Sequence, residues 1–329
     1  MVQNSGEAPW TLKQVQGDEY LKGEYRMKRL LLAATAIMLA TSAQAREKPR
    51  MLDVSKPEDA LEVAKRAQCG AGDGVPAVYH WAGNVYSRVT GEPDRLLFKG
   101  EGMNIRTCVT VEDPKRGKGW RLVSREIMLY LDPKTGEVLR NWANPWTGET
   151  VEVMHIANDP VNQRPQFAYG ADGTPYQFRG RREGRWIFAP FEAPLFYHNV
   201  LGGEYQDYVG GKYHAMEIFD FAYDAEEILN TKNPTAYPII SWVRISDWMP
   251  WMKMRGRQGQ MVFNAMGNKL KSFDELPKVL KDEIALNYPA YTTPPPGDDP
   301  RPNETTWTVF KKMIDAERAK SGEKPAQGH

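Results

Sequence analysis

Between Leu122 and Tyr130 the residue types alternate. Ser124, Glu126, Met128 and Tyr130 fall on one face of an extended strand, and Val123, Arg125, Ile127, Leu129 and Leu131 on the other. If the more polar face lines a cavity, Glu126 is placed as a general base and Tyr130 as an acid or oxyanion donor, provided that burial lifts the carboxyl pKa toward neutrality. The same alternation also describes a strand with one solvated side. A second group follows, with His155 ending a strand and Asn158, Asp159, Pro160 and Asn162 at the turn after it. A carboxylate such as Asp159 fixes the tautomer of a neighbouring imidazole, which would make His155 an oriented general base, while Arg125 and Asn158 would stabilise developing negative charge. His155 has a metal-ligand alternative, and Asn-Asp-Pro is also an ordinary turn whose side chains cap the backbone.

Substrate-holding residues are sought among the aromatics, which make up 11% of the chain. On the strand from Tyr213 to Phe221, Tyr213, Glu217, Phe219 and Phe221 share a face, and the next segment brings Trp242, Arg244, Trp248 and Trp251. Trp142, Trp242 and Trp251 are the expected walls of a pocket for a flat or apolar ligand, with Glu217 and Arg244 beside them. Arg125, Arg244 or Arg255 would meet an acidic group. Aromatic residues also simply fill cores. His80, His198 and His214 are too scattered to propose a metal centre. The chain has no G-x-S-x-G, no G-x-x-x-x-G-K-[ST], no H-E-x-x-H and no C-x-x-C-H. Nucleotide-dependent, serine-hydrolase and covalent haem chemistry are therefore not expected, and neither a cofactor nor a metal is predicted.

These residues need a scaffold, and the pattern supplies strands. Ser55-Lys56-Pro57-Glu58 has capping-box spacing and opens a short helix that Gly70 ends. Period-two segments follow at 78–88, 95–101, 103–111, 120–131, 184–191, 213–222, 238–246 and 259–267. Asp132-Pro-Lys-Thr-Gly136 is echoed by Asn144-Pro-Trp-Thr-Gly148, two turns a strand apart, and Asp172-Gly173 is a third turn. Ser272-Phe-Asp-Glu275 reads as another capping box, and a last helix is expected at about 304–319, before a disordered tail at 320–329. The expected fold is mainly β, an α+β arrangement in which an antiparallel meander curls into a barrel-like sheet, of lipocalin type in one version, with helices at both ends.

The termini place the protein. Met27-Lys28-Arg29, the apolar run Leu30–Ala40 and Ala43-Gln44-Ala45 form a signal peptide over 27–45. Residues 1–26 have no pattern and read as translated upstream sequence, and one β-rich domain is expected over 46–319. The first 45 residues carry five of the 43 basic and four of the 42 acidic residues, so the mature chain has 38 of each. That neutrality gives no support to nucleic-acid or lipid-surface binding, and no later segment is long and apolar enough to span a bilayer. Cys69 and Cys108, in a chain bound for the periplasm or exterior, form an expected disulfide, with two buried thiols as the alternative.

Several stretches resemble domain of unknown function family 1838. They include Arg125–Pro133, Asn144–Glu149, His155–Asn162, Ile240-Ser241-Trp242, Trp248–Met252, Phe273–Pro277 and Asn303–Trp307, and together they cover nearly the whole mature chain. The resemblance implies a bacterial protein and no particular reaction. The residues themselves favour a cofactor-independent lyase or isomerase acting by acid–base chemistry on a small aromatic or hydrophobic compound. A non-catalytic carrier of such a molecule and an envelope interaction protein are the alternatives.

Overall fold

The computed structural model describes residues 49–198, 201, 212–254 and 256–322. The predicted signal peptide, Arg255 and the end of the predicted tail lie outside them.

Seven long strands carry the fold: β1 (Ala77–Arg88), β2 (Arg95–Asp113), β3 (Gly117–Leu131), β9 (Trp186–His198), β10 (Lys212–Asp224), β11 (Ile239–Ser246) and β12 (Gln260–Leu270). Between β3 and β9 run only short pieces: β4 (Asn141–Ala143), β5 (Thr150–Glu152), β6 (Ile156–Asn158), β7 (Gln166–Phe167) and β8 (Arg181–Glu183). Ten strands form one antiparallel sheet in the order β6-β3-β2-β1-β12-β11-β10-β9-β8, with β7 also on β3, and β4 and β5 form a separate hairpin. The expected barrel does not close among the described residues. Pro133, Pro145, Pro160, Pro165 and Pro175 crowd the segment that would have to supply the closing strands, and a proline removes a ladder donor wherever it sits. The sheet curls instead, so that β3 and β10, five pairing steps apart, face the same hollow.

The two segments expected at 95–101 and 103–111 are one strand, β2. Its Gly100 and Gly102 are not a break. A Cβ on Gly102 would lie 2.4 Å from the Trp81 ring, so the glycine makes room for that side chain. Helix α1 (Pro57–Gln68) has Lys56, without a side-chain bond, at its N-cap, and Ser55 bonds Asp53 instead of capping it. Ser272 likewise stands before a 3-10 turn without a side-chain capping bond, and α3 (Lys278–Asn287) starts after Pro277. A short α2 (Ala225–Leu229) is capped by Asp224. The true capping box is Thr305 with Thr308, at the start of α4 (Thr306–Ser321).

Alternation along β3 sorts the protein into two layers. Ile127, Leu129 and Leu131 pack on the convex side with Leu280 and Ile284 of α3 and with Tyr291. On the concave side the same strand passes through three environments. Trp120 and Leu122 pack with Leu61 and Ala64 of α1. Ser124, Glu126 and Met128 then line a cavity, and Tyr130 enters an aromatic core with Phe98, Trp142, Trp251 and Trp307 of α4. Helices thus cover both ends of the concave face and leave its middle open. Among the described residues no helix is long and apolar enough to cross a membrane.

Candidate functional site

The cavity in the middle of the concave face has a volume of about 290 Å³, at the small end of ligand pockets. Its charged residues come from four strands of the sheet, and alternation along each strand sets the face on which each stands. Glu126 comes from β3, Asn104 and Arg106 from β2, Glu217 from β10 and Arg244 from β11, while Trp81, Trp242 and Phe219 form apolar walls. Glu217 and Arg244 are directly opposed in the β10–β11 ladder. Arg244 Nη1 donates to Glu217 Oε1 at 3.0 Å and Nη2 donates to the Tyr213 hydroxyl at 2.8 Å. Opposite-charge neighbours of this kind hold each other in place.

Glu126 differs from Glu217 in having no hydrogen bond among the described residues. Burial, reinforced by the negative charge of Glu217, pushes its carboxyl up to about 7, against the opposing pull of Arg244 and Arg106. The group is therefore near half-ionised at neutral pH and able both to take and to return a proton. Around it several buried polar atoms have no hydrogen-bond partner among the described residues: Nε1 of Trp81 and of Trp242, Nε of Arg244 and Oδ1 of Asn158. The three N–H groups are natural donors to a ligand oxygen, and the Asn158 carbonyl oxygen is an acceptor for a ligand N–H or O–H. Asn158 lies directly opposite Glu126 in the β3–β6 ladder.

Arg106 is the second unusual charge. Nε donates to Asn104 Oδ1 at 2.7 Å, Nη1 donates to Gln68, and the guanidinium lies 4.4 Å from the centroid of the Tyr79 ring. Every one of these partners is neutral.

The sequence brings some expected residues here and misplaces others. Glu126, Glu217, Trp242 and Arg244 line the cavity. Tyr130 shares the concave face but lies in the aromatic core, 5.2 Å from Phe98 and 5.4 Å from Trp251 between ring centroids, with its hydroxyl buried and without a partner among the described residues. Burial pushes that hydroxyl well above the usual phenol range, which removes it as a ready acid. Trp142 and Trp251 belong to the same core, their rings 6.1 Å apart, and not to the ligand walls.

His155 does not face the cavity. Its Nδ1 accepts the Tyr130 amide at 3.1 Å, and burial lowers its pKa to about 4, so it is neutral at pH 7. Asp159 does not orient it. That carboxylate pairs with Arg125 at 2.9 Å and with Arg301 at 2.8 Å. Arg125 also donates to the carbonyls of Ala290 and Thr293, so it clamps the C-terminal connector to the convex side and offers nothing to the cavity. Arg106, Asn104 and Trp81 were missed. The only signal for Arg106 is its period-two spacing from Asn104, and it acquires meaning once the register sets Asn104 opposite Glu126 and Arg106 opposite Ser124.

A disulfide joins Cys69, at the C-cap of α1, to Cys108 on β2. Among the described residues no three His, Cys, Asp or Glu side chains gather as a metal site would require.

Residues 74–314 match the family DUF1838, described as a protein of unknown function. The chain belongs to this family. No curated protein and no solved structure matches it. Glu126, Arg106, Glu217 and Arg244 all fall inside the matched DUF1838 region, as do all the strands of the curled sheet.

Proposed function

We propose that this DUF1838 protein is an exported, cofactor-independent lyase or isomerase that moves a proton on a small aromatic or apolar compound held between Trp81, Trp242 and Phe219. The observation that carries the reading is Glu126: a carboxyl with no hydrogen-bond partner among the described residues, in an apolar-walled cavity, with its pKa raised to about 7. General bases work best when their pKa lies near the working pH. In this scheme ionised Glu126 takes a proton from a carbon beside a carbonyl of the substrate. The electron pair of the broken C–H bond moves onto the carbonyl oxygen, where Arg244 Nε–H and the indole N–H of Trp242 stabilise the charge. Glu126 then returns the proton to another carbon in an isomerase. In a lyase the enolate re-forms the carbonyl, its displaced pair makes a C=C bond, and the leaving group on the next carbon departs with its own bond pair and takes the proton from Glu126.

Glu126→Gln is expected to lower turnover by about 10²- to 10⁴-fold while the fold is retained. Because the ionised form is the base, wild-type kcat/KM is expected to rise with pH through about 7. The experiment is incubation of the purified protein with aromatic and terpenoid metabolites, following product mass and thermal shift in the same samples, and then repeating the converting pair with the variant. Full activity in Glu126→Gln removes Glu126 from the mechanism. A second reading, a non-catalytic carrier, is favoured by the placement of His155 behind Tyr130, which leaves Glu126 without a second proton-transfer group of similar pKa. Thermal stabilisation by a compound that is never converted selects the carrier.

A further inference from the structure

The cavity does not end at its own wall. A second and more open chamber of about 620 Å³ adjoins it, and Arg106, Gln163, Phe191, Phe219 and Phe221 line both. The two chambers differ in charge. The inner one holds Glu126, Glu217, Arg244 and Arg106. The outer one has Arg106, Arg164 and Arg179 in its lining and no carboxylate. Arg164 and Arg179 are exposed and make no ion pair among the described residues. In the inner chamber Glu217 and Arg244 neutralise each other.

Arg106 stands where the chambers meet. Asn104, Gln68 and the Tyr79 ring hold its plane, which prepares the guanidinium to receive a ligand without first ordering it. A half-buried guanidinium whose hydrogen-bond partners are all neutral, with the Glu126 charge acting on it only at a distance, favours an anion that presents two oxygens. Both chambers have apolar walls, but the inner one is the more enclosed, so an anion resting on Arg106 leaves the apolar body of the ligand to the Trp81, Trp242 and Phe219 walls.

We infer that the ligand is an amphiphilic small anion whose apolar or aromatic part fills the inner chamber and whose carboxylate or phosphate rests on Arg106, drawn in past Arg164 and Arg179. This rests on the reading that the cavity is the ligand site, but it does not require that the ligand be converted.

Calorimetric titration of the purified protein with 3-phenylpropanoate, 3-phenylpropanamide and 2-phenylethyl phosphate tests it, because the first two share a phenyl group and chain and differ in charge. The acid is expected to bind about 10- to 100-fold more tightly than the amide, the range of a charge-assisted hydrogen bond over a neutral one. The phosphate arm shows which anion the junction prefers. Arg106→Gln is expected to abolish the preference for the acid, and Arg106→Lys to keep part of it. Arg164→Gln with Arg179→Gln is expected to weaken the acid modestly and to flatten its salt dependence. Equal binding of acid and amide by the wild-type protein, or no binding of either at millimolar concentration, overturns the inference without any variant being needed. A preference for the acid that survives Arg106→Gln overturns the assignment to Arg106. The two readings fail separately: a preference for the acid that Arg106→Gln abolishes, with no compound of the metabolite panel converted, leaves the anion site standing and removes the enzyme.

Discussion

Glu126 and His155 are both buried titratable groups on or beside β3, and the cavity gives them opposite meanings. His155 spends its Nδ1 on the Tyr130 amide and stays neutral. Glu126 has no such partner and carries the cost of burial as a raised pKa. That cost has a sign in stability. The ordinary value for the carboxyl is 4.5 and the cavity lifts it to about 7. Between these values the folded protein keeps a proton that the unfolded chain has released. The unfolded state thus binds fewer protons, and stability falls as pH rises through this window. Above it the loss is complete. Glu126→Gln removes the ionisation, so the variant is expected to gain about 1–3 kcal/mol over wild type at pH of about 8 and little at pH of about 4. Urea midpoints at the two pH values measure this. A variant that gains nothing at the higher pH would mean that water in the open cavity already solvates the carboxylate.

At the scale of elements, the end of α1 is the most heavily tied point of the fold. Cys69 is bonded to Cys108, Gln68 accepts from Arg106, and Lys269 Nζ donates to the carbonyls of Arg66 at 3.0 Å and Cys69 at 2.5 Å. Burial lowers the Lys269 ammonium to about 7, and in its protonated form it also complements the dipole of the helix end. Replacing both cysteines by alanine is expected to cost about 3–4 kcal/mol in the chain-entropy model for a loop of this length, read as the shift in urea midpoint against the oxidised protein. A loss of under about 1 kcal/mol would mean that Lys269 and the Leu61–Trp120 packing hold the helix end unaided. Elements of this kind were readable in the sequence wherever one local rule decided them. Alternation gave the faces of β3 and β10, because each strand buries one side differently from the other. Local rules failed where the deciding neighbour lay on another strand. Gly102 looks like a break until Trp81 is placed over it, and Arg106 looks like a solvated charge until the β2–β3 register sets it beside the cavity. Trp142 and Trp251 stand in the core and not along the cavity, a difference the sequence does not carry, because an indole has the same residue type in a core and in a ligand wall and only the curl of the sheet distinguishes them.

For the molecule as a whole, the open curl makes the site depend on what covers its ends. α4 seals one end with Trp307, Phe310 and Ile314. The Trp307 ring lies 4.5 Å from the Tyr213 ring, and the Tyr213 hydroxyl accepts from Arg244, which pairs with Glu217 in the cavity. A continuous path of contacts thus runs from the C-terminal helix to the charged wall, and each step is a packed ring or a hydrogen bond between buried groups. Trp307→Ala should cost about 3–5 kcal/mol, as large-to-small substitutions of buried aromatics do. Stability alone would not show that α4 positions the site, since any core substitution lowers it. The double-mutant cycle of Trp307→Ala with Arg244→Gln does. If Tyr213 transmits the contact, the two losses fall short of additivity by about 0.5–1.5 kcal/mol, because once the tyrosine is free to move, Arg244 has already lost its brace. Pairing Trp307→Ala instead with Leu280→Ala, on the convex side against α3, is expected to give simple additivity. Equal coupling in both cycles would reduce α4 to a cover for the core, with no part in holding Arg244.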